Sequence, residues 1–250
     1  MSDTANSNRL ALLIDGDNAS PADIVGVLAE ISKYGRVTVK RIYGDWATQN
    51  LAGWRNVLAE HSITPIQQPR YTVGKNATDT AMVIDAMDIL YGGRIEGFCI
   101  VSSDSDFTRL ASRLRESGQV VYGFGERKTP KPFVAACDKF IYVDILKGPQ
   151  AQEKADTKGD TQKLKGDAEL MNLLRSAIEE SDDEDGWSNL SLVGKQISSQ
   201  KPDFDPRHYG FSKLSSLIKA IDLFEFRPET QGQSGIYVRS TKAGRQGRRR

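Results

Sequence analysis

Cysteine and histidine are scarce: a chain of 250 residues holds only Cys99, Cys137, His61 and His208. Two cysteines exclude a metal quartet and a dense disulfide framework. Cys99 lies in the apolar run Phe98-Cys99-Ile100-Val101 and reads as a reduced core residue. Two histidines far apart in sequence make a histidine general base a poor expectation. No apolar run approaches the roughly 18 to 20 residues that span a bilayer. Met1-Ser2-Asp3-Thr4 lacks the basic-then-apolar pattern of a secretory signal, so a cytoplasmic protein without membrane segments is expected. Net charge is nearly absent as well, at +1, but it is unevenly placed. Arg239, Lys242, Arg245, Arg248, Arg249 and Arg250 close the chain without an intervening acid, either as a hook for polyanions or as a solvated tail.

With 38% hydrophobic and 27% charged residues, the chain can build real cores, and its length suits two domains. Gly148–Gly166 holds one leucine among Gly, Pro, Ala, Thr, Gln and charges, which marks a linker unable to bury itself. The expected layout is a disordered stretch at 1–8, a first domain at 9–147, the linker at 148–166, a second domain at 167–240 and a basic tail at 241–250.

In the first domain apolar strands alternate with amphipathic helices. Strands are expected at 9–14, 36–43, 63–67, 97–101, 120–123 and 140–145, and helices from Ser20-Pro21 to about 33 and at 51–60, 78–90 and 107–116. Strands apolar on both faces, alternating with helices, imply an α/β fold: a parallel sheet covered by helices. In the second domain, helices at 167–179, 189–199 and 208–221 precede short strands at 223–227 and 235–239. Three helices and a terminal hairpin suggest a small winged-helix-type α+β domain.

Two acidic motifs end apolar strands. Leu12-Leu13-Ile14 runs into Asp15-Gly16-Asp17-Asn18, and Ile100-Val101-Ser102-Ser103 runs into Asp104-Ser105-Asp106. Asp79 opens the helix after Gly74-Lys75-Asn76-Ala77-Thr78. A single acid at such a place is ordinary capping or turn chemistry. In open parallel sheets, however, the crevice lies beyond the carboxyl ends of the strands, and carboxylates gathered there repel one another until a cation or shared proton intervenes. An all-oxygen site selects a hard ion, Mg²⁺ or Mn²⁺, and such ions support phosphodiester hydrolysis with an activated water as nucleophile.

Asp15-Gly16-Asp17-Asn18, Tyr43-Gly44-Asp45-Trp46, Lys75-Asn76-Ala77-Thr78-Asp79 and Val101-Ser102-Ser103-Asp104-Ser105-Asp106-Phe107 together resemble the NYN domain, a PIN-like nuclease fold, over residues 8–146. The resemblance implies a metal-dependent ribonuclease with Asp15, Asp79, Asp104 and Asp106 as catalytic and metal-ligating acids. Asp17, Asn18, Asp85, Ser102 and Ser103 would support them. Asp85 ranks second, because six residues past Asp79 it is rotated about 120° on an ideal helix. Farther along, Asp185-Gly186-Trp187-Ser188-Asn189-Leu190 and Pro202 to Leu214 resemble an OST-HTH (LOTUS) domain over about 165–240. That resemblance implies RNA binding and a possible protein partner. Tyr209 and Phe211 are either core aromatics or a platform for bases. Candidate RNA contacts are Trp46, Lys75, Tyr209, Lys213, Lys219, Arg248, Arg249 and Arg250. Two rivals stand beside this reading: a non-catalytic RNA-binding scaffold, and a haloacid-dehalogenase-type phosphatase, against which Ala19 stands where that class has Thr or Val.

Overall fold

The computed structural model describes residues 8–68, 77–146, 161–183, 185–227 and 235–241. The chain divides into two compact units, Met1–Lys147 and Gly148–Arg250. Residues 1–7, most of the expected linker, the tail from 242, and with them Lys75, Arg248, Arg249 and Arg250, lie outside the described residues.

In the first unit the chain forms β1 (Arg9–Asp15), α1 (Ile24–Ile31), β2 (Arg36–Gly44), α2 (Arg55–His61), β3 (Thr64–Gln67) and α3 (Ala77–Tyr91). It continues with β4 (Gly97–Val101), α4 (Thr108–Glu116), β5 (Val120–Gly125), α5 (Lys131–Ala136) and β6 (Lys139–Tyr142). The strands make one six-stranded sheet in the order β3-β2-β1-β4-β5-β6, every pairing parallel. Strand order reverses between β1 and β4, the place where such sheets open a crevice.

Strand periodicity decides what faces that crevice. On β1, Leu10, Leu12 and Ile14 point into one core with Ile24, Val27 and Ile31 of α1. Ala11 and Leu13 point into the other, with Met82 and Ala86 of α3. Each fully buried Leu or Ile of this kind contributes about 1.5–3 kcal/mol. Asp15 continues the parity of Ala11 and Leu13, and Ser102 continues that of Phe98 and Ile100, so both project toward the α3 layer. Cys99 and Cys137 are buried free thiols in the two cores.

Several boundaries differ from expectation. The first helix opens with a 3-10 turn, Pro21–Asp23, capped by Ser20 Oγ, which accepts from Ala22 N at 3.3 Å. A second 3-10 turn, Gln49–Trp54, precedes α2. The last strand stops at Tyr142 and becomes a 3-10 turn, Val143–Leu146. The unexpected α5 begins at Lys131-Pro132, where proline suits a first helical turn.

The second unit contains α6 (Thr161–Gly166), α7 (Ala168–Glu179), β7 (Ser188–Asn189), α8 (Leu190–Gln200), α9 (Leu214–Ile221), β8 (Phe224–Arg227) and β9 (Tyr237–Ser240). Its three strands pair antiparallel in the order β7-β9-β8. Leu170, Leu174, Val193, Ile197, Leu217, Ile218 and Val238 fill the core between helices and sheet. The expected linker ends early, because Thr161–Gly166 is helical and Leu164 is buried in this core. The helix expected at 208–221 is two elements. A 3-10 turn, Pro206–Tyr209, ends at Gly210 with φ +81°, and α9 begins only at Leu214. A left-handed residue there ends a helical turn, and glycine adopts it at no steric cost.

Candidate active site

The hydroxyl of Ser102, 1% exposed, ties the two acidic loops together. It donates to Asp15 Oδ2 at 2.7 Å and accepts from Asp104 N at 3.0 Å. Asp15 is itself fully buried; its Oδ2 also accepts from Asn18 Nδ2 at 2.7 Å and its Oδ1 from Asp17 N at 3.2 Å. Burial pushes the Asp15 carboxyl up from its ordinary range, and these hydrogen bonds work against that rise. Gly16 lets the turn close against β2: its N–H donates to Tyr43 O at 2.9 Å, and a Cβ would lie 2.8 Å from that oxygen.

From the loop after β4, Asp104 caps a short 3-10 turn, accepting from Asp106 N at 2.9 Å. From the other side comes Asp79, in the first turn of α3, where the helix dipole favours a negative charge. Thr78 fixes that turn by donating to Asp17 Oδ2 at 3.3 Å. Asp79, Asp104 and Asp106 each offer an oxygen, all within 4.8 Å of one another. Asp79 titrates at about 6, raised first by burial and then by the charges of Asp15, Asp104, Asp106 and Asp17. Oxygen donors alone, crowded until one holds its proton at mild pH, fit a hard divalent cation such as Mg²⁺ or Mn²⁺.

Of the expected acids, Asp79, Asp104 and Asp106 therefore meet directly, and Asp15 borders them through the Ser102 hydroxyl and through its charge on Asp79. Ser103 is a fastener between strands, accepting from Glu126 N at 2.8 Å. Asp85 is elsewhere: its carboxylate is ion-paired with Arg41 and accepts from the Tyr43 hydroxyl, two β2 residues. Any support that Asp85 lends the acidic cluster therefore runs through these two β2 side chains. Trp46 is half-buried, with its indole N–H donating to Ile66 O at 3.1 Å. In the second unit Phe211 is core and Tyr209 packs beside Phe204, while Lys213 is exposed at the start of α9. Sequence reasoning overlooked Thr78; the signal was a hydroxyl residue directly before a helix-opening acid.

Fold and site define a class: an α/β protein with a cluster of acids at the reversal of strand order. The chain belongs to the NYN family, whose domain matches residues 9–145, and an OST-HTH/LOTUS domain follows at 164–236. NYN is a PIN-like nuclease domain, and OST-HTH/LOTUS is an RNA-binding domain. A curated relative, an uncharacterized protein of Methanocaldococcus jannaschii, is 26% identical over 123 residues, 47% of this chain and 48% of the relative. The chain thus spans about half the length of that relative. Among solved structures, a protein of unknown function from Vibrio parahaemolyticus aligns with TM-score 0.48 and 18% identity, over 58% of this chain and 98% of that one. An uncharacterized protein of Nitrosomonas europaea aligns with TM-score 0.26 and 37% identity, over 28% of this chain and 71% of that one. Among the described residues no helix is long and apolar enough to cross a membrane.

Proposed function

We propose that the chain is a metal-dependent ribonuclease that hydrolyses RNA phosphodiester bonds at the acidic centre of its first unit and holds RNA with its second. The observation that carries the reading is the convergence of Asp79, Asp104 and Asp106 within 4.8 Å at the crevice of a parallel sheet. Asp15, Asp79, Asp104 and Asp106 would hold Mg²⁺ or Mn²⁺. When bound, such an ion polarises phosphoryl oxygens and lowers the pKa of water. Ser102 and Asn18 fix the orientation of Asp15, and Thr78 fixes the helix turn that presents Asp79. Asp79 holds a proton near pH 6, so cation binding there displaces a proton and weakens on acidification. Membership of the NYN family leaves the phosphatase rival without support. A cytoplasmic location and a protein partner for the second unit belong to the same reading.

The test incubates purified protein with end-labelled mixed RNAs in Mn²⁺, Mg²⁺ or chelator, beside Asp104→Asn. Cleavage that needs the ion and is lost in the variant is the expected result. RNA bound equally in chelator and never cut would overturn it in favour of the scaffold.

A further inference from the structure

On the outward face of the sheet in the second unit, two aromatic rings and two guanidinium groups interleave. Arg239 Cζ stands 4.4 Å from the ring centroid of Trp187, and Arg227 Cζ stands 5.0 Å from Trp187 and 5.2 Å from Tyr237. Strand pairing makes this cluster. Arg227 lies opposite Tyr237 and Glu225 opposite Arg239, so these four share one face, while Phe224, Val238 and Ser240 turn to the core. Trp187 enters just before β7, whose Ser188 pairs with Val238. Trp187, Arg227, Tyr237 and Arg239 are all half-buried, packed at the base with surface left open. Glu225, across from Arg239, accepts from its Nε at 2.7 Å and pairs with its Nη2 at 2.5 Å, which occupies one edge of that guanidinium and leaves Nη1 for a phosphate oxygen.

This combination selects its ligand by chemistry. Aromatic faces take flat, unpaired bases, and guanidinium forks take phosphate oxygens. A duplex hides its base faces and is read through its grooves, usually by a helix. The helix cations here are scattered over four elements and form no single row: Lys163 and Lys165 on α6, Arg175 on α7, Lys195 on α8, and at α9 Lys213 and Lys219, the last held 5.3 Å from the Phe226 ring. We propose that Trp187, Arg227, Tyr237 and Arg239 form a face for single-stranded RNA, with bases on the two rings and phosphates on the two guanidinium groups. The inference rests on the reading of the second unit as the RNA-holding part. Exposed Asp182 and Asp183, with Asp185 just before Trp187, border the face. Their charge repels phosphate at that edge and directs the strand along β8 and β9.

The test uses the full chain in chelator, with anisotropy of a labelled unstructured RNA and of its duplex. Trp187→Ala with Tyr237→Ala should weaken the single strand about tenfold or more and leave the duplex within about twofold. Phe at both positions should restore binding. Arg227→Gln should flatten the log–log salt dependence by about 0.7, and Asp182→Asn with Asp185→Asn should tighten binding. A readout that needs no variant is photo-crosslinking of 4-thiouridine RNA, with adducts expected on the peptides that hold Trp187 and Tyr237. RNA binding that none of these changes moves, or adducts confined to α8 and α9, overturns the face while leaving the second unit an RNA binder. A chain that binds no RNA at all, and captures only protein, overturns both.

Discussion

At the first turn of α3 the Asp79 carboxyl must lose its proton against partial burial and then against the charges of Asp15, Asp104, Asp106 and Asp17. Its value of about 6, against 3.8 for the free side chain, means that the folded chain binds a proton which the unfolded chain has already released. Stability of the metal-free protein therefore falls as pH rises from about 4 to 6 and stays low at neutral pH. After discounting for solvent screening, the cost is on the order of 1 kcal/mol. Asp79→Asn should raise the neutral-pH melting temperature in chelator by a few degrees and flatten that pH dependence. It should also reduce the rise in melting temperature that Mn²⁺ gives the wild type. Thermal melts across this pH range, with and without the ion, read all three effects. At Ser102 the expectation is the reverse. Ser102→Ala removes a hydrogen bond that holds the Asp15 carboxyl down and the link to Asp104 N. The apparent pKa of cleavage should rise, and activity should drop roughly 10–100-fold, as for partners that orient metal ligands. A pH profile identical to wild type would remove Ser102 from the centre.

Elements were legible wherever one periodicity ran unbroken from cap to cap. β1 and β4 could be read because a buried apolar run meets acids at the residue where the strand leaves the core, and that same junction made the site legible. Asp85 could not be placed, since its partners Arg41 and Tyr43 stand on a strand far away in sequence. Phe211 is buried at a spacing that suits a helix, which hid the break at Gly210. The Arg–aromatic face exists only through the β8–β9 register, which spacing alone does not supply. Glycine positions carry the element-scale prediction. A Cβ at Gly125, where β5 ends, would lie 2.6 Å from Ser102 O and 2.7 Å from Thr129 Oγ1. Since Ser102 O is backbone, the strand carrying the site must shift. Gly125→Ala should cost about 1–3 kcal/mol and most of the activity. Gly118, at φ +80° with open space around it, is the control. Gly118→Ala should destabilise by a comparable amount through strain yet leave turnover of the folded protein unchanged. Denaturant melts paired with single-turnover cleavage separate the two outcomes.

In the whole molecule, an acid-lined crevice and an arginine–aromatic surface lie on different units. Carboxylates repel a phosphate backbone until a cation arrives, so most affinity for RNA should come from outside the first unit. The tail adds Lys242, Arg245, Arg248, Arg249 and Arg250, and each cation that contacts single-stranded phosphate steepens the salt dependence by about 0.7. Removing residues 242–250 should therefore weaken RNA binding at low salt and flatten the slope by up to about 3.5, with little change as salt rises. Kinetics should divide in the same way. Loss of the tail or of the Trp187–Tyr237 rings removes binding that is equal in ground and transition states, which raises KM and spares kcat. Asp104→Asn should do the opposite, lowering kcat by orders of magnitude while RNA binding in Mg²⁺ persists. Single-turnover cleavage at saturating protein, run beside anisotropy on the same variants, reads both columns. If tail removal or the ring variants slow cleavage at saturation as much as they weaken binding, the second unit acts on the cut itself and the division of labour fails.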